Sequence, residues 1–279
     1  MIHPRMSGYL NFYGLKESPF TISPNPRFLY LSAKHQEALN HLLYGIRERK
    51  GFVQLTGEVG AGKTTLCRAL MDQLPAEQYS TALILNPILQ PDQMMAAIAT
   101  EYGLDVRNKD RFQILQILNH FLLEEMVKGR DVVLIIDEAQ NLTNDLLEQV
   151  RLISNLETDD RKLLQIVLMG QPELRDRLNE HSLRQLRQRI TVRYHLRPLR
   201  VNEVKDYIQH RLHVSGANGA PYFSLAALWR VFNYSKGIPR LVNAVCDKCL
   251  LAGFVHQSEG IDFGLTNRAI RELEGEFAA

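Results

Sequence analysis

The sequence has few cysteines, no long apolar run and no large excess of charge of either sign. Its 279 residues include three cysteines, Cys67, Cys246 and Cys249, which are too few for a disulfide framework and indicate a reducing compartment. No apolar run, Val132 to Ile136 among them, approaches the roughly 20 residues of a membrane-spanning helix. The first residues lack the layout of a signal peptide. A formal net charge of +2 at pH 7 gives little indication of a partner.

The most informative feature that is present is a glycine-rich stretch between a predicted strand and a predicted helix. It fits the pattern Gly-x-x-x-x-Gly-Lys-[Ser/Thr], a phosphate-binding loop whose backbone N–H groups approach phosphate oxygens. The helix that follows adds the positive end of its dipole. Lys63 is predicted to reach the β- and γ-phosphates of ATP, and the Thr64 hydroxyl to coordinate Mg²⁺. The predicted nucleotide-binding residues of the loop are Gly57, Glu58, Val59, Gly60, Ala61, Gly62, Lys63, Thr64 and Thr65.

Strands and helices alternate around this loop. Their order predicts an α/β fold of the P-loop NTPase type, a parallel sheet with helices on both faces. From residue 201 onward the pattern is helical only. The predicted strands are 52–56, 81–85, 131–137, 163–169 and 190–196, and the predicted helices are 33–48, 64–71, 91–101, 111–127, 144–156, 202–212, 225–232, 239–254 and 266–274.

These patterns predict three parts of the chain. Residues 1–29, rich in proline and aromatic side chains, are expected to pack on the ATPase core. Residues 30–200 are expected to form the α/β nucleotide-binding domain, and residues 201–279 a small helical lid. ATP is expected between the last two parts, at the carboxyl ends of the strands.

A second motif follows the third predicted strand. This apolar strand ends in two adjacent acids, the Walker B pattern. Asp137 is predicted to hold Mg²⁺, directly or through water, and Glu138 to polarise the attacking water as general base. Gln171 follows the neighbouring strand and is the predicted sensor of the γ-phosphate. Asn86, at the tip of the strand before them, is predicted to hydrogen-bond Glu138 and restrain it until a partner binds.

The stretch from residue 184 to residue 200 contains six arginines and no acid. It is consistent with a solvated basic face, with a nucleic-acid patch, or with an arginine finger supplied to the nucleotide of a neighbouring subunit. Arg187 and Arg189 are the finger candidates. Arg240, in Gly237-Ile-Pro-Arg240 at the start of a lid helix, is predicted to contact the γ-phosphate.

These motifs, in this order, resemble an AAA+ ATPase, and the resemblance extends over nearly the whole chain. The N-terminal residues make this resemblance more specific, because they are similar to those of ExeA/GspA-type ATPases of type II secretion. Relatives include the pilus-biogenesis ATPase MshM and the ATPases of exosortase-linked loci. The matching stretches are 12–20, 23–32, 35–39, 57–68, 137–142 and 170–174.

The resemblance implies an ATPase that uses ATP and Mg²⁺ to help assemble or position the secretin of a secretion or pilus system. It implies action at the cytoplasmic face of the inner membrane, slow turnover without a partner, and a nucleotide-dependent homo-oligomeric ring, with six subunits as the usual number. It also implies that Phe28 or Tyr30 packs on the adenine. ExeA-type chains continue into a membrane helix and a peptidoglycan-binding domain. We therefore expect this chain to reach the membrane through a partner or through a further C-terminal segment, and not to bind peptidoglycan by itself.

An alternative function comes from another class of protein. ATP-dependent DNA-binding AAA+ ATPases of transposition, of the MuB and TniB kind, share much of this motif set. The arginine-rich stretch favours them, whereas the nearly neutral overall charge and the opening residues favour secretion. Nucleic acid is therefore the less expected partner.

Overall fold

A computed structural model describes residues 8–22, 25–85, 87, 91–158 and 161–275. The chain divides into two compact units. One, the α/β unit, consists of Ala33–Glu58 and Leu66–Leu196. The other, the helical unit, consists of the described residues of Met1–Ser32, Val59–Thr65 and Arg197–Ala279. The sequence predicted a boundary at residue 200 but not the grouping of the glycine-rich loop with the C-terminal helices.

The α/β unit is built on a five-stranded sheet, and all five predicted strands are present. They are β1 (Phe52–Gly57), β2 (Tyr79–Ile84), β3 (Asp131–Ile136), β4 (Leu164–Gly170) and β5 (Ile190–Leu196). The strands are parallel and lie in the order β2-β3-β4-β1-β5. Every residue of β1 and β4 is buried, as expected for central strands with both faces covered.

The helices of the α/β unit bury their apolar faces against this sheet. Asp110 begins one of them with a capping box, because its side chain accepts from Gln113 N–H while the Gln113 side chain accepts from Asp110 N–H. Thr143 caps another through Leu146 N–H. The helices are α2 (Ala33–Arg47), α3 (Lys63–Asp72, which continues from the glycine-rich loop), α4 (Pro91–Glu101), α5 (Arg111–Val127), α6 (Asn144–Ile153), α7 (Pro172–Leu178) and α8 (Arg184–Arg189).

Two of these helices were not predicted. Helices α7 and α8 contain seven and six residues, too few to show a helical period in the sequence. Pro172 at the first position of α7 supplies the backbone geometry of a helix start. These short helices position Gln171, Arg187 and Arg189.

The helical unit has a core of its own. It contains the long helix α11, which packs against α12 and α10, and a two-stranded parallel ribbon. Ser224 and Asp262 cap α10 and α12 through backbone N–H groups three residues on. Its remaining elements are α1 (Gly8–Phe12), α9 (Val201–Val214), β6 (Tyr222–Phe223), α10 (Leu225–Ser235), α11 (Pro239–Val255), β7 (Gly260–Ile261) and α12 (Phe263–Leu273).

The N-terminal segment, which the sequence predicted to pack on the ATPase core, contributes buried side chains to the core of the helical unit. The Tyr9 hydroxyl donates to Asp247 Oδ1 at 2.7 Å. The buried Arg211 guanidinium donates to the Pro19 carbonyl oxygen at 2.5 Å. The segment belongs to this unit because its buried aromatic side chains complete the apolar core of the C-terminal helices.

Among the described residues, the helices are either too short or too polar to cross a bilayer.

Candidate functional site

The glycine-rich loop has the backbone that its sequence predicts. Gly60 and Gly62 adopt φ values of +78° and +101°, a region that side chains with a Cβ rarely occupy. Gly57 is needed for a different reason, because a Cβ there would lie 2.8 Å from the Leu196 carbonyl oxygen of β5. Lys63 follows as the first residue of α3. The loop therefore presents successive backbone N–H groups ahead of a helix N-terminus, a geometry that binds phosphate.

Arg240 lies beside this loop within the helical unit. Its backbone N–H donates to the Gly60 carbonyl oxygen at 3.3 Å, and a Cβ at Gly60 would lie 2.5 Å from the Arg240 Cβ. Gly237 permits the turn into α11, since a Cβ there would lie 1.9 Å from the Leu199 carbonyl oxygen. The structure thus brings the predicted lid arginine, whose side chain is exposed, next to the phosphate-binding loop.

Asp137 is buried directly after β3. Its Oδ1 accepts a hydrogen bond from Glu138 N–H at 2.9 Å, which fixes the carboxylate at the end of the strand. The charge of Asp137 also adds to burial in raising the pKa of the Cys67 thiol to about 12. Cys67 belongs to the same helix as Thr64, so Asp137 lies within electrostatic reach of α3.

Glu138 sits in a closed ring of hydrogen bonds. Its backbone is left-handed, with φ 53° and ψ 35°, which is uncommon outside glycine and concentrated at functional sites. Oε2 accepts from Gln140 Nε2 at 2.5 Å and from Gln171 Nε2 at 3.2 Å. The Gln140 Oε1 closes the ring by accepting from Gln171 N–H at 3.0 Å. Among the described residues, Oε1 of Glu138 has no hydrogen-bond partner, so this oxygen is available to a water molecule.

Gln140 was not predicted from the sequence. It lies in the 3-10 turn Ala139–Asn141 that follows Glu138. Gly170 makes room for it, because a Cβ there would lie 2.7 Å from Gln140 Oε1. Arg177 of α7 holds the turn by donating to the carbonyl oxygens of Gln140 and Leu142. The signal was present in the sequence as a glutamine two residues after the acidic pair, but only the structure shows what its side chain contacts.

The two finger candidates have different surroundings. Arg189 donates to Ser154 Oγ at 2.9 Å and approaches the Arg151 carbonyl oxygen at 3.5 Å, so it ties α8 to the end of α6. Arg187 donates to the Asn179 carbonyl oxygen at 3.3 Å and lines an open cavity. Arg187 is the more accessible to a ligand or a neighbouring subunit.

The predicted adenine contacts lie in the helical unit. Phe28 is buried, and the Arg211 guanidinium carbon lies 4.8 Å from its ring centroid. Tyr30 is half-buried between Tyr207 and His210. Tyr30 therefore has the more accessible ring. Asn86, the predicted restraint on Glu138, lies outside the described residues.

Residues 46–178 match the AAA domain family. The predicted fold class, a P-loop NTPase of the AAA+ type with a parallel sheet and a helical C-terminal part, is confirmed.

The chain is similar in sequence to a secretion protein. The chain is 47% identical over 268 residues to the general secretion pathway protein A of Aeromonas hydrophila, a match that covers 96% of this chain and 49% of that protein. The chain therefore spans about half the length of this relative. The resemblance to ExeA/GspA-type ATPases predicted from the motifs is confirmed.

Solved structures show the same fold at low identity. The Aeropyrum pernix ORC2 protein is 16% identical with a TM-score of 0.67, covering 92% of this chain and 72% of that one. Cdc6p of Pyrobaculum aerophilum is 18% identical with a TM-score of 0.70, covering 92% and 71%. The Thermotoga maritima RuvB branch migration motor is 21% identical with a TM-score of 0.58, covering 85% and 69%.

Proposed function

We propose that this chain hydrolyses ATP, with Glu138 as the general base. The observation that carries the proposal is the ring around this residue. Gln140 and Gln171 anchor one carboxylate oxygen, and no described residue bonds to the other. An anchored carboxylate with one available oxygen can accept a proton from a water molecule placed beside it.

The side chains at the proposed magnesium site fit this ion. The Asp137 carboxylate and the Thr64 hydroxyl are hard oxygen donors, the type that Mg²⁺ prefers. We assign these two residues to hold it. When bound, Mg²⁺ would neutralise charge on the β- and γ-phosphates. Lys63 would add a second positive charge there. Gln171 and Arg240 are the proposed γ-phosphate sensors, and Tyr30 is the better candidate for packing on the adenine because Arg211 covers Phe28.

The wider role we propose is in secretion. ATP binding and hydrolysis would drive assembly or positioning of a secretin-type secretion or pilus complex at the inner membrane. The 47% identity to the general secretion pathway protein A, over 96% of this chain, supports this role. Contact with the membrane would come through a partner protein or a further segment, and turnover would be slow until the partner binds.

A chimera tests the secretion role. This chain would replace the matching half of the Aeromonas protein in cells that lack it, and secretion and secretin multimers would be measured. We expect restored secretion with the native chain and none with a Glu138→Gln chimera of equal abundance. Failure of the native chimera, despite normal abundance and ATPase activity, would contradict the secretion role but not the hydrolysis.

If the chains form a ring, hydrolysis requires an arginine that reaches the nucleotide of a neighbouring subunit. We assign this role to Arg187. Arg187→Ala and Lys63→Ala chains should each hydrolyse ATP poorly, while their mixture should regain activity by combining an intact loop with an intact finger. Arg189→Ala is the matched control, since it loosens α8 and should lower stability more than activity. Full activity of Arg187→Ala alone would place the finger elsewhere.

The DNA-binding alternative is tested separately. The Glu138→Gln chain with ATP and Mg²⁺ would be titrated against fluorescent duplex DNA over a salt series. Tight, ATP-dependent, salt-sensitive binding would favour a transposition-type ATPase, whereas no binding at low salt would remove that alternative.

A further inference from the structure

A histidine of the helical unit has a buried ring nitrogen without a partner. His210 lies on α9, and its Nε2 is shielded from solvent and forms no hydrogen bond with a described residue. Buried side-chain polar atoms nearly always have a partner, and one without a partner needs an explanation. A bound molecule that hydrogen-bonds this nitrogen supplies one.

The surroundings of the imidazole show that Nε2 is an acceptor. Burial, together with the charges of Arg211 and His213, lowers the pKa of His210, so the ring is neutral near pH 7. A hydrogen bond with the Leu29 backbone acts in the opposite direction, as expected when the carbonyl oxygen accepts from the ring. Because Nε2 has no partner, the donor of that bond is Nδ1–H. A neutral imidazole with its proton on Nδ1 has a lone pair on Nε2, and the partner it lacks is therefore an N–H or O–H donor.

Two aromatic rings lie beside this acceptor. The Tyr30 ring centroid is 5.7 Å from that of His210 and 6.0 Å from that of Tyr207. Tyr207 is buried, and its hydroxyl donates to Asn243 and accepts from Arg211, so this ring is fixed. Tyr30 is only half-buried, and it is the neighbour whose displacement would open a way to Nε2. Flat aromatic faces beside one acceptor suit a planar ring with an amino group at its edge.

The phosphate-binding loop belongs to the same compact unit. This unit includes residues 59–65 of the loop as well as Tyr30 and α9, and Arg240 contacts the loop at Gly60. Tyr30 is also the side chain proposed above to pack on the base. A nucleotide whose phosphates bind the loop is therefore a ligand whose base can bring a donor to His210.

We propose that His210 Nε2 accepts a hydrogen bond from the 6-amino group of adenine and makes the site selective for ATP. This inference rests on the proposed function, because it assigns the base selectivity of the same nucleotide site. Tyr30 would move from the His210 ring to the face of the base as the amino group reaches Nε2. A purine with oxygen or hydrogen at position 6 has no donor there and would leave Nε2 unpaired. Sites that hydrogen-bond a polar group of their ligand discriminate strongly against analogues that lack it.

The experiment measures binding of three nucleotides to the full Glu138→Gln chain by calorimetry with Mg²⁺. This substitution is expected to keep ATP intact during the titration. ATP would be compared with inosine triphosphate, which has oxygen at position 6, and with purine riboside triphosphate, which has hydrogen there. We expect both analogues to bind about tenfold or more weakly than ATP, as expected for loss of a hydrogen bond.

Adding His210→Phe separates base selectivity from a structural role. Phenylalanine keeps a flat ring but has no acceptor, so ATP affinity should fall to that of purine riboside triphosphate, whose affinity should be unchanged. A structural role would instead weaken all three nucleotides equally. His210→Gln keeps an acceptor and should retain part of the preference for ATP. His213→Leu, at an exposed position of the same helix, is the matched control and should retain all of it.

The outcomes separate this inference from the proposed function. Equal affinities for ATP and purine riboside triphosphate, or a preference for ATP that His210→Phe retains, would overturn the role of His210 and leave the proposed ATPase intact. Absence of ATP binding to the chain with native His210 would overturn both. Circular dichroism would verify that each variant is folded, and His210→Leu, which also lacks an acceptor, would replace His210→Phe if that variant unfolds.

Discussion

The α/β unit contains two polar clusters that differ in how far their side chains satisfy one another. At the carboxyl ends of β3 and β4, the side chains of Glu138, Gln140 and Gln171 form a closed hydrogen-bonded ring. At the β1–β5 edge, Arg175, Arg187 and Arg193 form an open cluster that lines a cavity, and they contact only carbonyl oxygens or an exposed aspartate.

The two clusters therefore show two different arrangements of polar side chains. A closed ring holds a carboxylate in one place before substrate arrives, which lowers the reorganisation needed during reaction. In the open cluster, Arg187 and Arg193 each donate to one carbonyl oxygen, and their guanidinium groups have further N–H donors. Substitutions in the closed ring should therefore change activity strongly, whereas substitutions at the cavity should have smaller effects on stability.

The largest expected effect is at the centre of the closed ring. Glu138→Gln should lower ATPase turnover by about 10²–10⁴-fold, because it removes the proposed general base. Nucleotide binding should persist, since the phosphate-binding loop is unchanged. Phosphate release and fluorescent nucleotide binding would be measured on the same preparation. Turnover within a few fold of the native rate would show that another group accepts the proton.

A smaller effect is expected from the partner that anchors the base. Gln140→Leu removes one of two donors to Glu138 Oε2, and about tenfold slower turnover corresponds to the loss of a hydrogen bond worth about 1.4 kcal/mol. A positioning role predicts that kcat falls while KM for ATP is unchanged. Gln36→Leu on α2, where the exposed glutamine donates to Asn40, is the control. A rise in KM with kcat constant would indicate that Gln140 contacts the nucleotide instead.

The sequence predicted the closed ring in part, and of the open cluster it singled out Arg187 and Arg193 but not Gln54 and Thr56 beside them. Periodicity located all five strands, so Asp137, Glu138 and Gln171 were correctly assigned to strand ends. The contact of Gln140 with Glu138 depends on a left-handed backbone at Glu138 and on the absence of a Cβ at Gly170, and neither follows from a pattern of apolar residues.

The N-terminal segment shows the same limit of sequence reasoning. Its aromatic content predicted packing, but the partner depends on tertiary contacts such as that of Tyr9 with Asp247, which are 238 residues apart in the chain. The sequence did not predict that polar side chains of β1 and β5 share one face of the sheet. A glutamine or an arginine in a strand does not show which face it occupies until the strand order is known.

The smallest effect is expected at Gln54, which lines the same cavity as the open cluster. Gln54→Leu should change the free energy of unfolding by no more than about 0.5 kcal/mol, because its amide is not sealed from solvent and forms no hydrogen bond with a described residue. Gln165→Leu on β4 is the matched comparison. Gln165 is equally buried, but its Oε1 accepts from Gly51 N–H at 2.8 Å, so its loss leaves a buried donor unpaired and should lower stability by about 1–3 kcal/mol. Thermal unfolding of both variants compares the two free energies of unfolding. Equal destabilisation would show that Gln54 has a partner within the folded chain, and the distinction between the two clusters would then fail.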